Sequence, residues 1–191
     1  MRVANEANKE KFIKAAVCEL EEHGVSDFSI RRVAKRCGVS CAAPYKHFES
    51  RNDLMLEVIR YINKKWLSIW QSTVDAHKGE SVRERIVAVC MAYITFLCTY
   101  PEYQTILNMN DRAFPHEMLE EKVKVSSATE MLINDYCVSV NMPEETRQRK
   151  QFVIRSILFG ASIMINSGAL PFNSSTMDMI RGNIEREFEI Q

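Results

Sequence analysis

The chain has 191 residues, 46% of them hydrophobic and 26% charged, with 25 basic and 25 acidic side chains that cancel. That length suits one large domain or two small ones, and the apolar fraction is that of a folded protein. Six glycines and five prolines are too little punctuation for a many-stranded sheet.

The first periodic segment runs from about Glu6 to His23, with Ile13, Ala16, Val17 and Leu20 on one helical face and Gly24 as its stop. Ser29 is placed to cap a short helix with Ile30, Val33, Ala34 and Cys37 on its apolar face, and Gly38 ends it. Ser40 is placed to cap a third short helix to about His47, closed by Phe48. Ser50 and Asp53 resemble a capping box and open a long helix carrying Leu54, Val58, Tyr61 and Ile62 to about Lys78. Ser81 and Glu84 repeat the box ahead of a helix through Tyr100. Pro101 opens another to about Asn110, and Pro115 opens one through Val140. Pro143 leads a helix to about Gly168 whose second half, from Val153 to Ile165, is apolar nearly all round, as in a helix buried on every side. After a turn at Pro171, Ser174 and Ser175 are placed to cap a last helix with Met177, Ile180, Ile184 and Phe188 on one side. The expected fold class is all-α, with about nine helices.

Several functions are excluded by what these elements carry. No segment has the ~20 consecutive apolar residues of a membrane span. The start, MRVANEANKEK, has no apolar signal region. Cys18, Cys37, Cys41, Cys90, Cys98 and Cys137 form no CxxC pair and read as reduced thiols, so the expected location is the cytoplasm. No metal cluster, glycine-rich phosphate loop or Ser-His-Asp arrangement appears, and His23, His77 and His116 lie scattered at helix ends. Neither catalysis nor a metal or cofactor is expected.

The second and third helices carry the informative pattern. A short helix, a Gly-containing turn and another short helix make a helix-turn-helix. Ala34 permits close approach to the first helix, Gly38 supplies positive φ at the turn, and Val39 and Phe48 are placed as apolar anchors. Arg31, Arg32, Lys35 and Arg36 lie on the solvent side of the second helix, while the third offers Ser40, Cys41, Ala42, Pro44, Tyr45, Lys46 and His47, with Arg51 following. Small side chains admit close approach to base edges, and the Tyr, Lys, His and Arg around them suit phosphates. Residues 1–65 carry 13 basic against 9 acidic side chains, and residues 66–191 carry 12 against 16. The zero net charge therefore hides a basic first third, as double-stranded DNA requires.

The stretch SIRRVAKRCGVSCAAPYKHFESRNDLMLEVI resembles the DNA-binding domain of the TetR family of bacterial transcriptional regulators. Ser29, Ile30, Val33, Ala34, Gly38, Val39, Ser40, Tyr45, His47, Phe48, Arg51 and Leu54 match the family pattern. Many members have Gly-x-Leu before the Tyr, where this chain has Ala42-Ala43-Pro44. Pro44 forfeits an intrahelical bond there, which bears on base readout rather than on the motif. The resemblance implies a homodimeric repressor with a helix-turn-helix domain over residues 1–50. Residues 51–191 would then form a ligand-binding and dimerisation domain, with the helix at 51–78 as connector.

The same resemblance places Trp66, Trp70, Tyr93, Phe96, Tyr103, Met109, Phe114, Met131 and Phe159 on helices that surround the ligand cavity, although taken one by one each reads first as a core filler. Apolar walls with sparse polar groups such as Asn108, Asn110, Asp111 and Arg112 suit an apolar or amphipathic small-molecule effector. The last two long helices would form the dimer bundle, with Ile157, Gly160, Ala161, Met164, Ile180, Ile184 and Phe188 at its seam. Two other readings stay open: a regulator switched by oxidation of Cys41, and a helical protein-interaction module with no DNA role.

Overall fold

The computed structural model describes residues 2–108 and 115–189, with side chains from residue 8 onward. Among the described residues there are eight α-helices, one 3₁₀ turn and no strand. They are α1 (Arg2–His23), α2 (Ile30–Arg36), α3 (Arg51–Ala76), α4 (Val82–Thr99), α5 (Pro101–Leu107), α6 (His116–Ser139), α7 (Glu144–Asn166) and α8 (Ser174–Glu187). The 3₁₀ turn, Pro44–Lys46, stands where a third helix is predicted. Among the described residues no single helix is long and apolar enough to cross a membrane.

The chain packs as two compact units, residues 1–65 with 102–124, and residues 66–101 with 125–191. The first unit is built on the stripe the sequence displays. Ile13, Ala16, Val17 and Leu20 of α1 are buried, as are Ile30, Val33 and Ala34 of α2 and Leu54, Val58 and Ile62 of α3. Each fully buried Val, Leu or Ile among them contributes about 1.5–3 kcal/mol. Phe48 is 1% exposed and meets Phe12 of α1 edge-on at 6.2 Å. Val39 does not share that anchoring role, because it remains 41% exposed. Gly24 and Gly38 hold φ of 69° and 71°, the left-handed conformation both stops require.

The helix starts divide between foreseen and unforeseen caps. Ser81 accepts from the Glu84 backbone N–H while the Glu84 carboxylate accepts from Ser81, the full capping box. Ser50 Oγ accepts from the Asp53 N–H at 3.1 Å, and Asp53 reaches back to the Glu49 N–H at 2.9 Å. Ser29 occupies the cap position of α2, yet its hydroxyl makes no capping bond. At α8 the cap is Asn173 rather than the two serines, its side chain accepting from the Thr176 N–H. Asn173 holds extended backbone one residue earlier and so takes the role.

In the second unit α4, α7 and α8 pack together around Ile86, Ile94 and Leu97 of α4, Ile154 and Leu158 of α7, and Ile180 and Ile184 of α8. Tyr136 of α6 meets Phe188 edge-on at 5.6 Å. Lys150 is 7% exposed and donates to the Glu187 carbonyl at the end of α8, satisfying an orphan acceptor there. The second half of α7 is not enclosed as its composition suggests: Ile163 and Met164 are about half exposed.

Candidate nucleic-acid interface

The segment from Ser40 to Phe48 is shaped by one missing proton. In an α-helix residue 44 would donate to Ser40, and Pro44 has no N–H to give. Ala43 donates to Ser40 instead at 3.0 Å, Lys46 to Ala43 at 3.2 Å and His47 to Pro44 at 2.9 Å, all of the tighter three-residue spacing. The expected helix is therefore a pair of tight turns. Phe48 closes it, its N–H donating to Pro44 at 3.0 Å.

The proposed contact residues divide into those that face solvent and those that hold the domain together. Ser40, Cys41, Ala42, Tyr45 and Lys46 are exposed, Tyr45 by 56%. Pro44 is buried and cannot meet a base or phosphate in this conformation. His47 is half-buried, its ring 5.5 Å from that of Phe12. Arg51 is exposed but donates to the Val25 carbonyl, with its guanidinium 5.9 Å above the Phe28 ring.

On α2 the basic residues alternate in role. Arg32 donates to Glu19 of α1 at 2.5 Å and to the Asp27 carbonyl, and Arg36 donates to Glu22 of α1 at 2.5 Å. The Arg36 pair holds the Glu22 carboxyl below its ordinary value near 4.5. Arg31 and Lys35 are exposed and form no ion pair among the described residues. Lys11 of α1 donates to the Cys37 carbonyl at 2.9 Å, which satisfies the end of α2. The acidic partners Glu19 and Glu22 escaped the sequence reading. A signal existed for Glu19: it falls three residues after Ala16, on the buried arc of α1.

The predicted ligand residues are not brought together as a group. Trp66 is fully buried, with ring centroids 4.8 Å from Tyr93 and 5.6 Å from Phe96. Trp70 is half-buried. Tyr93 and Phe159 line one cavity with Thr129, Glu130 and Arg155, polar residues the sequence did not single out. Burial pushes the Tyr93 phenol up, Arg155 drawing it back and Glu130 adding to the rise. Tyr103 belongs to the first unit and meets Tyr61 edge-on at 6.5 Å. Met131 is 66% exposed and lines no wall of that cavity. Met109, Asn110, Asp111, Arg112 and Phe114 lie outside the described residues.

The predicted dimer seam also divides. Ile180, Ile184, Phe188 and Ala161 are buried in the protomer's own core. Ile157 and Gly160 are half-buried, and Met164 faces out. The apolar groups that do face solvent here are Phe152, Ile163, Met164, Phe172 and Met179. Of the cysteines, Cys18 and Cys41 are exposed, while Cys37, Cys90 and Cys137 are buried.

Comparison with known proteins bears on this geometry. Residues 12–58 match the model for bacterial regulatory proteins, tetR family. The chain is 27% identical over 125 residues to the nucleoid occlusion factor SlmA of Vibrio atlanticus, covering 64% of this chain and 63% of that protein. SlmA of Vibrio cholerae is 28% identical over 118 residues, covering 61% of this chain and 59% of that protein. The aligned parts thus span less than two thirds of these curated relatives. A TetR family transcription regulator from Marinobacter aquaeolei shares the fold with a TM-score of 0.79, at 16% identity and over 98% of both chains.

Proposed function

Since the chain belongs to the tetR family of bacterial regulatory proteins, we propose that it is a transcription regulator in the cytoplasm, not an enzyme, that binds a two-fold operator as a homodimer and represses until an apolar or amphipathic small molecule releases it. The observation that carries the DNA reading is the exposed turn Ser40–Ala42. Its small side chains are flanked by solvent-facing Tyr45 and Lys46, with Arg31 and Lys35 on α2. Small groups at the tip admit base edges, and the ring of polar and basic groups suits phosphates. Two such turns on a dimer would meet successive major grooves about 34 Å apart or a multiple of it. Effector binding shifts the population only by its differential affinity for the two spacings.

A gel-shift titration over DNA from beside the protein's own gene tests this reading. Retardation that survives excess non-specific competitor supports it, and binding that the competitor abolishes overturns it. Lys46→Ala should weaken binding to every sequence about equally and lower the salt slope by about 1 for its lost phosphate contact.

The SlmA relatives favour a second reading, in which the same DNA face serves nucleoid occlusion instead of control of transcription. Mapping bound sites along the chromosome separates the two. Sites gathered at a few promoters fit the regulator, and sites scattered over long stretches fit the alternative.

A further inference from the structure

Within the second unit, α4, α6 and α7 enclose a cavity of about 30 Å³, room for one water. Ile133, Ile154, Leu158 and Phe159 make its walls apolar. Two polar groups in this region are left without partners. Thr129 is 5% exposed, lines the cavity, and its hydroxyl makes no hydrogen bond. Trp66 is fully buried against Tyr93, a lining residue, and its indole N–H makes none either. An indole can only donate, so what would satisfy it is an acceptor. Buried polar groups without partners are uncommon in native folds and call for an occupant.

The cavity edge supplies a charge. Arg155 of α7, 56% exposed, donates to Glu130 of α6, which is 34% exposed. Pairs this exposed contribute little, so an incoming anion exchanges for Glu130 at small cost. An Arg guanidinium offers a planar fork that fits a carboxylate with two parallel bonds.

We infer that the effector is an amphipathic carboxylate, whose headgroup takes Arg155 from Glu130 and accepts from Thr129 while its apolar tail parts α6 from α7. This inference rests on the ligand-responsive reading above and names the chemical class that reading leaves open. The cavity is far smaller than the ~300–1,000 Å³ of an occupied small-molecule site, so a tail of several carbons enters only as the helices separate. Binding and movement of α6 are thereby one event, which is what an effector must provide.

Both tryptophans of the chain, Trp66 and Trp70, lie in this unit and report on it directly. The full-length protein is titrated with octanoate, n-octanol and octylamine while indole emission is followed. Octanoate should saturate with an affinity about tenfold or more above that of octanol, as a charge-assisted bond to Arg155 requires, and above that of octylamine. Arg155→Gln should remove that advantage while leaving octanol binding within a factor of about two, which also shows that the variant is folded. Thr129→Val should weaken octanoate and leave indole emission of the free protein unchanged. Octylamine binding as well as octanoate, no octanoate binding at all, or an Arg155→Gln variant that keeps the preference would overturn the carboxylate assignment. The regulator reading fails separately, by loss of sequence-selective retardation in a gel shift without any octanoate present.

Discussion

Glu19 is fully buried on α1, and its carboxyl accepts from Arg32 Nε at 2.5 Å. Its second oxygen makes no hydrogen bond, with His23 Nδ1 3.5 Å away. Arg32 therefore positions α2 on α1, whatever else it does. Arg32→Ala should lower stability by roughly 1–3 kcal/mol, less than the loss of a fully buried pair because Arg32 is nearly half exposed. Arg31→Ala should leave stability within about 0.5 kcal/mol and reduce the salt slope of DNA binding. Thermal melting alongside a salt titration separates the two, and equal effects on both readouts would refute the division. In the sequence these arginines are indistinguishable neighbours. What distinguishes them is the helical angle of 100° per residue against α1, and which acid each arginine meets is visible only once α1 is laid beside α2.

At the scale of elements, the helix-turn-helix was legible because its cues are local. The stripe at Ile13, Ala16, Val17 and Leu20, the stops at Gly24 and Gly38 and the box at Ser50 each lie within a few residues of what they determine. The third helix failed for a reason also local, the missing N–H of Pro44, which tightens the segment into a 3₁₀ turn. Pro44→Ala restores that donor and should lengthen the element, raising helical circular dichroism slightly. The sequences selected from random DNA should change with it, since the tip is re-aimed, while the salt slope stays the same. An unchanged selected sequence would show that the turn relaxes to an α-helix on DNA without help. Between elements, Glu57 of α3 is ion-paired with Lys9 of α1 at 2.7 Å and Arg60 at 3.0 Å. Burial pushes its carboxyl up, but the bonds from Lys9 and Arg60 outweigh this and hold it below the ordinary value near 4.5. A depressed folded pKa stabilises above the unfolded value and loses that contribution as pH falls through the folded one. The melting-temperature gap between wild type and Glu57→Gln should therefore be widest near neutrality and close as pH drops below 4.5. A gap that stays constant to low pH would assign Glu57 a packing role only.

For the whole molecule the zero net charge is a sum over unlike parts, because residues 1–65 carry four more basic than acidic side chains and the remainder four fewer. The internal pairs of Arg32 and Arg36 leave that excess intact, since their acids are already counted. In the proposed dimer the excess would double, and the proposed operator would meet a larger field. What the sequence could not settle was which apolar residues of α7 turn inward, because a helix apolar all round carries no stripe to read, nor whether the stripe of α8 faces its own chain or a second one. Ile180, Ile184 and Phe188 complete the protomer's own core, and Phe152 and Ile163 are left 72% and 48% exposed. If two protomers join through the latter face, Phe152→Asp with Ile163→Asp places charges where a partner would exclude water, at little cost to a protomer that already exposes both side chains. Sedimentation should give the wild type at twice the 22.1 kDa of one chain and the double variant at the single mass, still folded. Its retardation of operator DNA should weaken sharply, because two half-sites then bind without the gain in effective concentration that a dimer provides. Ile184→Asp is the contrasting case: fully buried, it should unfold the protomer instead of separating two folded ones. A double variant that sediments at the dimer mass and holds operator DNA as before would place the subunit interface on another face.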